Sequence, residues 1–343
     1  MGFIFTREGA DKAFRELSKD YLLYGPKCYE GESEFSEQDS IRYGELGGIN
    51  DLELQRKSQF SFKEIVMPIN ETLFFYSQQA VHEADAPNSR DTFVFLRSCD
   101  LHAVKRLDAI YLDNGLTEDY YYSRLRDRVK FILIGCKESF ENCFCVDMGS
   151  NQSQNYSASI DWIDGKFHMD VKDAKLYEFL SAYAESEGEI HPQFVTETDK
   201  KVIVNESVDP EYIINHDLWT EYNSRCIACG RCNFTCPTCT CYTMEDIAYG
   251  ENVKAGERRR RWAGCMVDGF TDVAGGEAYR RKYGERMRFK ALHKVYDFKK
   301  RQGYHMCTGC GRCDDACPEY ISFSSTINKI NEAMLEVSAN DEK

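Results

Sequence analysis

The 343-residue sequence has no apolar run approaching the 18 or so residues that a bilayer-spanning helix needs. Its apolar runs, such as residues 93–96 and 131–134, are short. The first residues, Met1-Gly2-Phe3-Ile4-Phe5-Thr6-Arg7-Glu8, lack the apolar region and small-residue cleavage site of a secretory signal. There is no Gly-x-Gly-x-x-Gly fingerprint and no P-loop, so nothing in the chain reads as a flavin, nicotinamide or nucleotide site. No nucleophile–base pair stands out, and no low-complexity tract interrupts the chain.

Cysteine, by contrast, is abundant: the chain holds 16. Without a secretory signal, that number argues for metal thiolates rather than disulfides, and for a reducing cytoplasm. A content of 42% apolar and 13% aromatic residues fits a soluble globular protein. The length suggests two or three domains with ample core.

Half of the cysteines fall into two copies of one pattern. The first is Cys226-Ile-Ala-Cys229-Gly-Arg-Cys232-Asn-Phe-Thr-Cys236-Pro237, the second Cys307-Thr-Gly-Cys310-Gly-Arg-Cys313-Asp-Asp-Ala-Cys317-Pro318. Both read C-x2-C-x2-C-x3-C-P, the run that ligates cubane clusters in bacterial-type ferredoxins. Three closely spaced thiolates wrap one corner of a cubane, and the small residues Gly230, Gly309 and Gly311 suit a backbone that approaches it closely. The fourth cysteine lies a helical turn on and ligates the other cluster, before proline ends the turn. Cluster one is therefore expected on Cys226, Cys229, Cys232 and Cys317, cluster two on Cys307, Cys310, Cys313 and Cys236. Zinc is the competing reading, but paired-cysteine zinc sites separate their pairs by a dozen or more residues.

Residues 91–148 carry a second signal. Residues 92–96 and 129–134 are β-branched and aromatic runs, and residues 100–112 between them place Leu101, Val104, Leu107 and Tyr111 at helical spacing. Strand, helix, strand predicts a right-handed βαβ unit with parallel strands. Cys99 and Cys136 then sit just beyond the carboxyl ends of the two strands, the edge where α/β sheets place ligands. Cys143 and Cys145 follow in the next loop, so Cys99, Cys136, Cys143 and Cys145 could close a third tetrathiolate site. Small buried thiols with no ligand are the alternative.

Elsewhere the pattern predicts a helix over 10–22, loop over 25–51, edge strands around Pro68 and a hairpin at Asp164-Gly165. A helix over 173–186 and a strand over 194–203 complete it. About 70 residues separate the two ferredoxin motifs. They carry Cys239, Cys241 and Cys265 without an evident fourth ligand, and a basic helix from about 285 to 301 with His293 read as packing. Cys28 is isolated. Residues 251–301 hold 15 Lys and Arg against 7 Asp and Glu, while the whole chain is at −14. Arg258-Arg259-Arg260-Arg261 reads as a solvated helical face, with nucleic-acid binding or a docking edge for an acidic partner as alternatives. A mixed α/β domain over 1–211 and a ferredoxin-like di-cluster domain with a helical insertion over 212–343 are expected.

Together, Arg97-Ser98-Cys99-Asp100-Leu101-His102-Ala103, Asn142-Cys143-Phe144-Cys145, Cys236-Pro237-Thr238-Cys239, Ala274-Gly275-Gly276 and the final Cys-Thr-Gly-Cys-Gly-Arg-Cys give the chain its family likeness. From about residue 40 to 325 it resembles the iron–sulfur electron-transfer subunit of anaerobic sulfite reductase, with the beta subunit of soluble sulfhydrogenases as a close relative. The resemblance implies two [4Fe-4S] clusters on the eight ferredoxin-type cysteines and supports a third on Cys99, Cys136, Cys143 and Cys145. It implies a relay from a flavin- and NADH-binding subunit to a siroheme subunit that reduces sulfite to sulfide. The close relative implies instead the relay subunit of an NAD(P)-linked hydrogenase. Either way the chain itself holds no siroheme site and no acid, base or nucleophile.

Overall fold

The computed structural model describes residues 1–33, 36–250 and 254–341. Residues 34 and 35, within the stretch read as loop, and 251–253, which open the basic segment, lie outside them. In chain order the strands are β1 (Gly2–Phe5), β2 (Leu22–Tyr29), β3 (Ser40–Glu45), β4 (Asn70–Tyr76), β5 (Val81–Glu83) and β6 (Thr92–Leu96). They continue as β7 (Val129–Ile134), β8 (Ala158–Ile163), β9 (Lys166–Asp170), β10 (Ser186–Gly188), β11 (Tyr242–Ala248), β12 (Gly256–Trp262) and the two-residue pair β13 (Asp272–Val273) and β14 (Glu277–Ala278). The helices are α1 (Arg7–Asp20), α2 (Ser98–Tyr111), α3 (Tyr120–Arg126), α4 (Ala174–Ser181), α5 (Glu221–Arg225) and α6 (Arg231–Phe234). After them come α7 (Tyr283–Leu292), α8 (Phe298–Gln302), α9 (Arg312–Asp315) and α10 (Phe323–Asp341).

An eight-stranded mixed sheet runs β10-β1-β9-β8-β7-β6-β2-β3, with β2, β6, β7 and β8 parallel at its centre. Every residue of β6 is buried, as a parallel strand covered on both faces must be. Its side chains alternate between two cores. Phe93 and Phe95 join α1 and α4 on one face, and Val94 and Leu96 join α2 and Tyr122 of α3 on the other. Thr6 caps α1 by accepting from the Gly9 N–H, and Asp173 caps α4 the same way from Leu176. The βαβ unit and the hairpin at Asp164-Gly165 stand where the pattern put them.

Three expectations are corrected. Residues 25–51 are not all loop: β2 and β3 pair antiparallel from Tyr24 and Glu45 to Tyr29 and Ser40. Pro26 is tolerated because β2 pairs with β6 only through Tyr24, so no parallel neighbour requires its missing N–H. Residues 194–203 form no strand; their backbone bonds instead go to loops, from Lys200 N to Cys143 O at 2.9 Å and from Val202 N to Asp147 Oδ2 at 2.7 Å. The four arginines lie on a strand, β12, not on a helix.

That strand is the centre of a second antiparallel sheet, β11-β12-β4-β5, drawn from chain segments on both sides of residue 212. Each arginine meets a carboxylate: Arg258 meets Asp246 at 2.7 Å, Arg261 meets Glu245 at 2.6 Å, and Arg259 meets Glu257. Arg260 is buried between Glu71 (3.1 Å) and Asp119 (2.9 Å). Charges neutralised in this way leave little field for a polyanion.

The carboxyl-terminal part packs α5, α7 and α10 around Trp219, Tyr222, Met287 and Ile327. α7 runs through a π-helical turn, His293–Asp297, into α8. The carbonyls of Lys294 and Val295 in this turn accept from the 305–307 segment: Cys307 N reaches Lys294 O at 3.1 Å, and His305 Nδ1 lies 2.7 Å from Val295 O. The helix thereby anchors the start of the second ferredoxin motif. π-turns of this kind recur at functional sites.

Candidate iron–sulfur sites

The two ferredoxin motifs fold alike. Residues three and five of each run take the left-handed conformation: Ala228 (φ 53°) and Gly230 (φ 72°) in the first, Gly309 (φ 64°) and Gly311 (φ 74°) in the second. This curls the backbone around the thiols and aims N–H groups at sulfur, from Ala228 to Cys226 and from Gly309 to Cys307, both at 3.4 Å. Short helices follow, α6 and α9, packed against each other. The fourth cysteine of each motif therefore lands beside the other motif.

Cys226, Cys229, Cys232 and Cys317 line one cavity, together with Ile227, Met266, Met287, Phe323 and Lys290. Cys236 in turn lies in the electrostatic field of Cys307, Cys310 and Cys313. Burial pushes the Cys307 thiol up to about 12. A hydrogen bond from Cys239 outweighs burial at Cys236 and holds that thiol well below its usual value.

The glycines do something the sequence does not announce. A side chain at Gly309 would meet Phe144 O at 2.5 Å, and one at Gly311 would meet Asn142 O at 2.4 Å. They are needed where the second motif lies against the 142–145 loop, and Phe144 N bonds Gly309 O at 2.8 Å. Gly309→Ala must open this contact and hold alanine at a positive φ, at a combined cost on the order of 3 kcal/mol. We expect a melting temperature lower by several degrees and a lower iron content. An unchanged melting curve would show that the contact is not required.

That loop brings the remaining candidates together. Cys99 starts α2 directly after β6, Cys136 follows β7, and both border one cavity with Cys143 and Cys145. Arg97, Lys57 and Arg312 are also in its wall. Burial raises Cys143 to about 11 and Cys145 to about 12, and Cys99 well above its usual value. Thiols held this way stay protonated until a metal displaces the proton.

The second motif borders both cavities. Cys310 of the second motif borders the Cys99 cavity, and Cys313 of the same motif borders the Cys226 cavity. The other cysteines stand apart from these walls. Cys239 and Cys265 flank the Asn233 amide, which donates to their sulfurs at 3.4 and 3.6 Å. Cys28 lies on β2. His293 stacks on Phe289 with centroids 5.7 Å apart, and burial lowers its pKa to about 4, which keeps the ring neutral. All 16 cysteines are free of disulfides.

The sequence did not single out Lys290, Lys294 or Arg312 as parts of these sites. All three are buried. Arg312 donates to Asp100 at 2.6 and 2.9 Å and to Ser58 at 3.0 and 3.1 Å, joining α9 to the first turn of α2. The signals the sequence offered were the arginine inside the second cysteine run and the basic helix from about 285 to 301 that carries both lysines.

Soft thiols gathered around cavities walled by apolar and basic side chains fit iron–sulfur clusters. Among the described residues no three His, Cys, Asp or Glu converge tightly enough to hold one metal ion. Fold and donor set define a mixed α/β protein with a helical 4Fe-4S dicluster domain at its carboxyl end. Residues 225–321 match the family model described as a 4Fe-4S dicluster domain. Over 341 residues the chain is 26% identical to sulfhydrogenase 2 subunit beta of Pyrococcus furiosus, covering 94% of this chain and 96% of that protein. No solved structure matches it.

Proposed function

We propose that the chain is an iron–sulfur electron-relay subunit of a hydrogenase-type oxidoreductase complex, carrying three [4Fe-4S] clusters. The clusters would be held by Cys226, Cys229, Cys232 and Cys317, by Cys307, Cys310, Cys313 and Cys236, and by Cys99, Cys136, Cys143 and Cys145. A bound cubane takes up and gives back one electron at a time. The chain's part is to hold the thiolates, exclude water and tune potential through buried charge and N–H groups aimed at sulfur. The observation that carries the reading is the pair of cysteine-lined cavities, one at Cys99 and one at Cys226, each bordered also by a cysteine of the second motif, Cys310 or Cys313. Such an arrangement suits transfer between two other subunits and needs no acid, base or nucleophile.

The hydrogenase assignment rests on the likeness to a sulfhydrogenase beta subunit along nearly the whole chain. The short motifs around Cys99 and Cys143 also favour the iron–sulfur relay of an anaerobic sulfite reductase, with a flavin- and NADH-binding partner on one side and a siroheme partner on the other. No described helix is long and apolar enough to cross a membrane, and free thiols in this number suit the cytoplasm.

The deciding experiment purifies the native complex anaerobically through a tag on this chain and assays nickel and siroheme. Nickel with hydrogen-dependent reduction of the chain's chromophore is the expected result. Siroheme without nickel would transfer the assignment to sulfite reduction. A colourless chain with zinc and no acid-labile sulfide would end the relay reading.

A further inference from the structure

Lys290 and Lys294 sit four residues apart across the junction of α7 with the π-turn, and so share a helix face. Both are buried to 3% exposure. Neither has a carboxylate within ion-pairing distance among the described residues. The neighbours of Lys290 are sulfurs: it lines the Cys226 cavity, hydrogen-bonds Cys232 and lies in the field of Cys313. Its ammonium also lies 5.2 Å from the Phe323 ring. Lys294 donates to Thr238 Oγ1 at 2.9 Å, and that hydroxyl lies 3.3 Å from Cys236 Sγ. Cys307 is within its field as well.

An ammonium withdrawn from water costs several kcal/mol unless an anion faces it. Arg312, equally buried, shows the ordinary solution in this chain, a bidentate bond to Asp100. The two lysines instead face ligands of both carboxyl-terminal sites: Cys232 of the first and Cys313, Cys236 and Cys307 of the second. Four thiolates around a cubane make a net anion, the counter-charge that the protein alone does not provide.

We propose that Lys290 and Lys294 are built-in counter-charges of the paired clusters, and that they raise the reduction potentials of both. The proposal rests on the cluster assignment above. A fixed positive charge beside a cluster favours its reduced, more negative form, one of the means by which proteins set cluster potentials. Placed at the seam between the two sites, these charges also lower the repulsion between two anions held close together.

The test uses the full-length chain, purified anaerobically with its clusters, as wild type, Lys290→Met, Lys294→Met and Lys290→Arg. Iron and acid-labile sulfide are measured first, then the reduction midpoints by EPR-monitored titration. Each methionine variant is expected to retain iron and to shift at least one midpoint downward by a factor of ten or more in the reduction equilibrium, about 59 mV for one electron. Lys290→Arg, which keeps the charge, is expected to stay near wild type. Methionine variants with full iron and unshifted midpoints would overturn the proposal, as would an arginine variant shifted as far as methionine. If Lys290→Met fails to hold iron, Lys290→Arg must hold the full complement; loss there too would mean that shape, not charge, is required. A wild-type chain without sulfide would instead remove the cluster assignment itself.

Discussion

Cys136→Ala is expected to lower the iron content from about twelve to about eight atoms per chain, with sulfide falling in step, and to leave the other clusters reducible. The side chain is suited to this test because it is half-exposed, and its thiol bonds only the nearby Glu138 carbonyl, at 3.3 Å. Removing it deletes a thiolate without opening a core cavity, unlike a change at Cys143 or Cys145, which are buried beside Phe144. Cys143→Ala should give the same iron count with a larger loss of thermal stability, because a buried thiol packs as a small hydrophobe. The measurement is iron and acid-labile sulfide on anaerobically purified protein, with EPR of the reduced state to count spins. If wild type already holds about eight irons and Cys136→Ala changes nothing, the amino-terminal cysteines are structural and only the ferredoxin-type pair remains.

Arg312→Leu is expected to destabilise the protein by about 3–5 kcal/mol, because it leaves Asp100 charged, fully buried and unpaired. Tyr43, whose hydroxyl lies 3.4 Å from Asp100 Oδ2, cannot replace two charged hydrogen bonds. In a chain of this size the cost corresponds to a fall in melting temperature on the order of 10 °C. The pair also bridges two candidate sites: Arg312 follows Cys310 and Gly311, and Asp100 follows Cys99. Iron should therefore fall at both. Asp100→Leu alone should cost a similar amount by leaving the guanidinium unpaired, while Asp100→Leu with Arg312→Leu should recover much of the loss, as apolar replacements of buried pairs often do. Additive losses in the double variant, or a single variant with wild-type stability, would show that the ion pair does not join the two parts of the molecule.

Much of this was legible from the residues alone. Phe93, Val94, Phe95 and Leu96 read as a strand, and the helical period of Leu101, Val104 and Leu107 pointed to a parallel crossover. That topology by itself places Cys99 and Cys136 at one edge. β2 and β3 were missed because Gly25-Pro26 is a turn signal in isolation, and only the short reach of β6 alongside β2 makes a proline acceptable there. Arg258, Arg260 and Arg261 looked like a solvated face because the carboxylates that pair them lie on β4, β11 and before α3, up to 189 residues away. Residues 194–203 have strand-like composition, but their N–H groups are claimed by the loop around Cys143 and by Asp147 and Asn328.

The division between sequence and tertiary structure follows from distance along the chain. The two C-x2-C-x2-C-x3-C-P runs announce themselves in sequence because each set of thiolates is local: spacing alone sets which sulfurs can face one cubane corner. The same locality makes Gly230, Gly309 and Gly311 readable as close-approach positions, though not what they approach, while the left-handed turn at Ala228 shows only in the folded chain. What lies between those sites is non-local. That Cys310 and Cys313 each border a neighbouring cavity, that Arg312 is cancelled by Asp100, and that Lys290 and Lys294 lie among cysteines with no carboxylate opposite them were decided by how α2, α7 and the 142–145 loop pack. A charge in a sequence carries no sign of its partner. Only the folded chain determines whether a carboxylate, water or a thiolate stands opposite it, and so whether that charge is spent on stability or left to act on electrons.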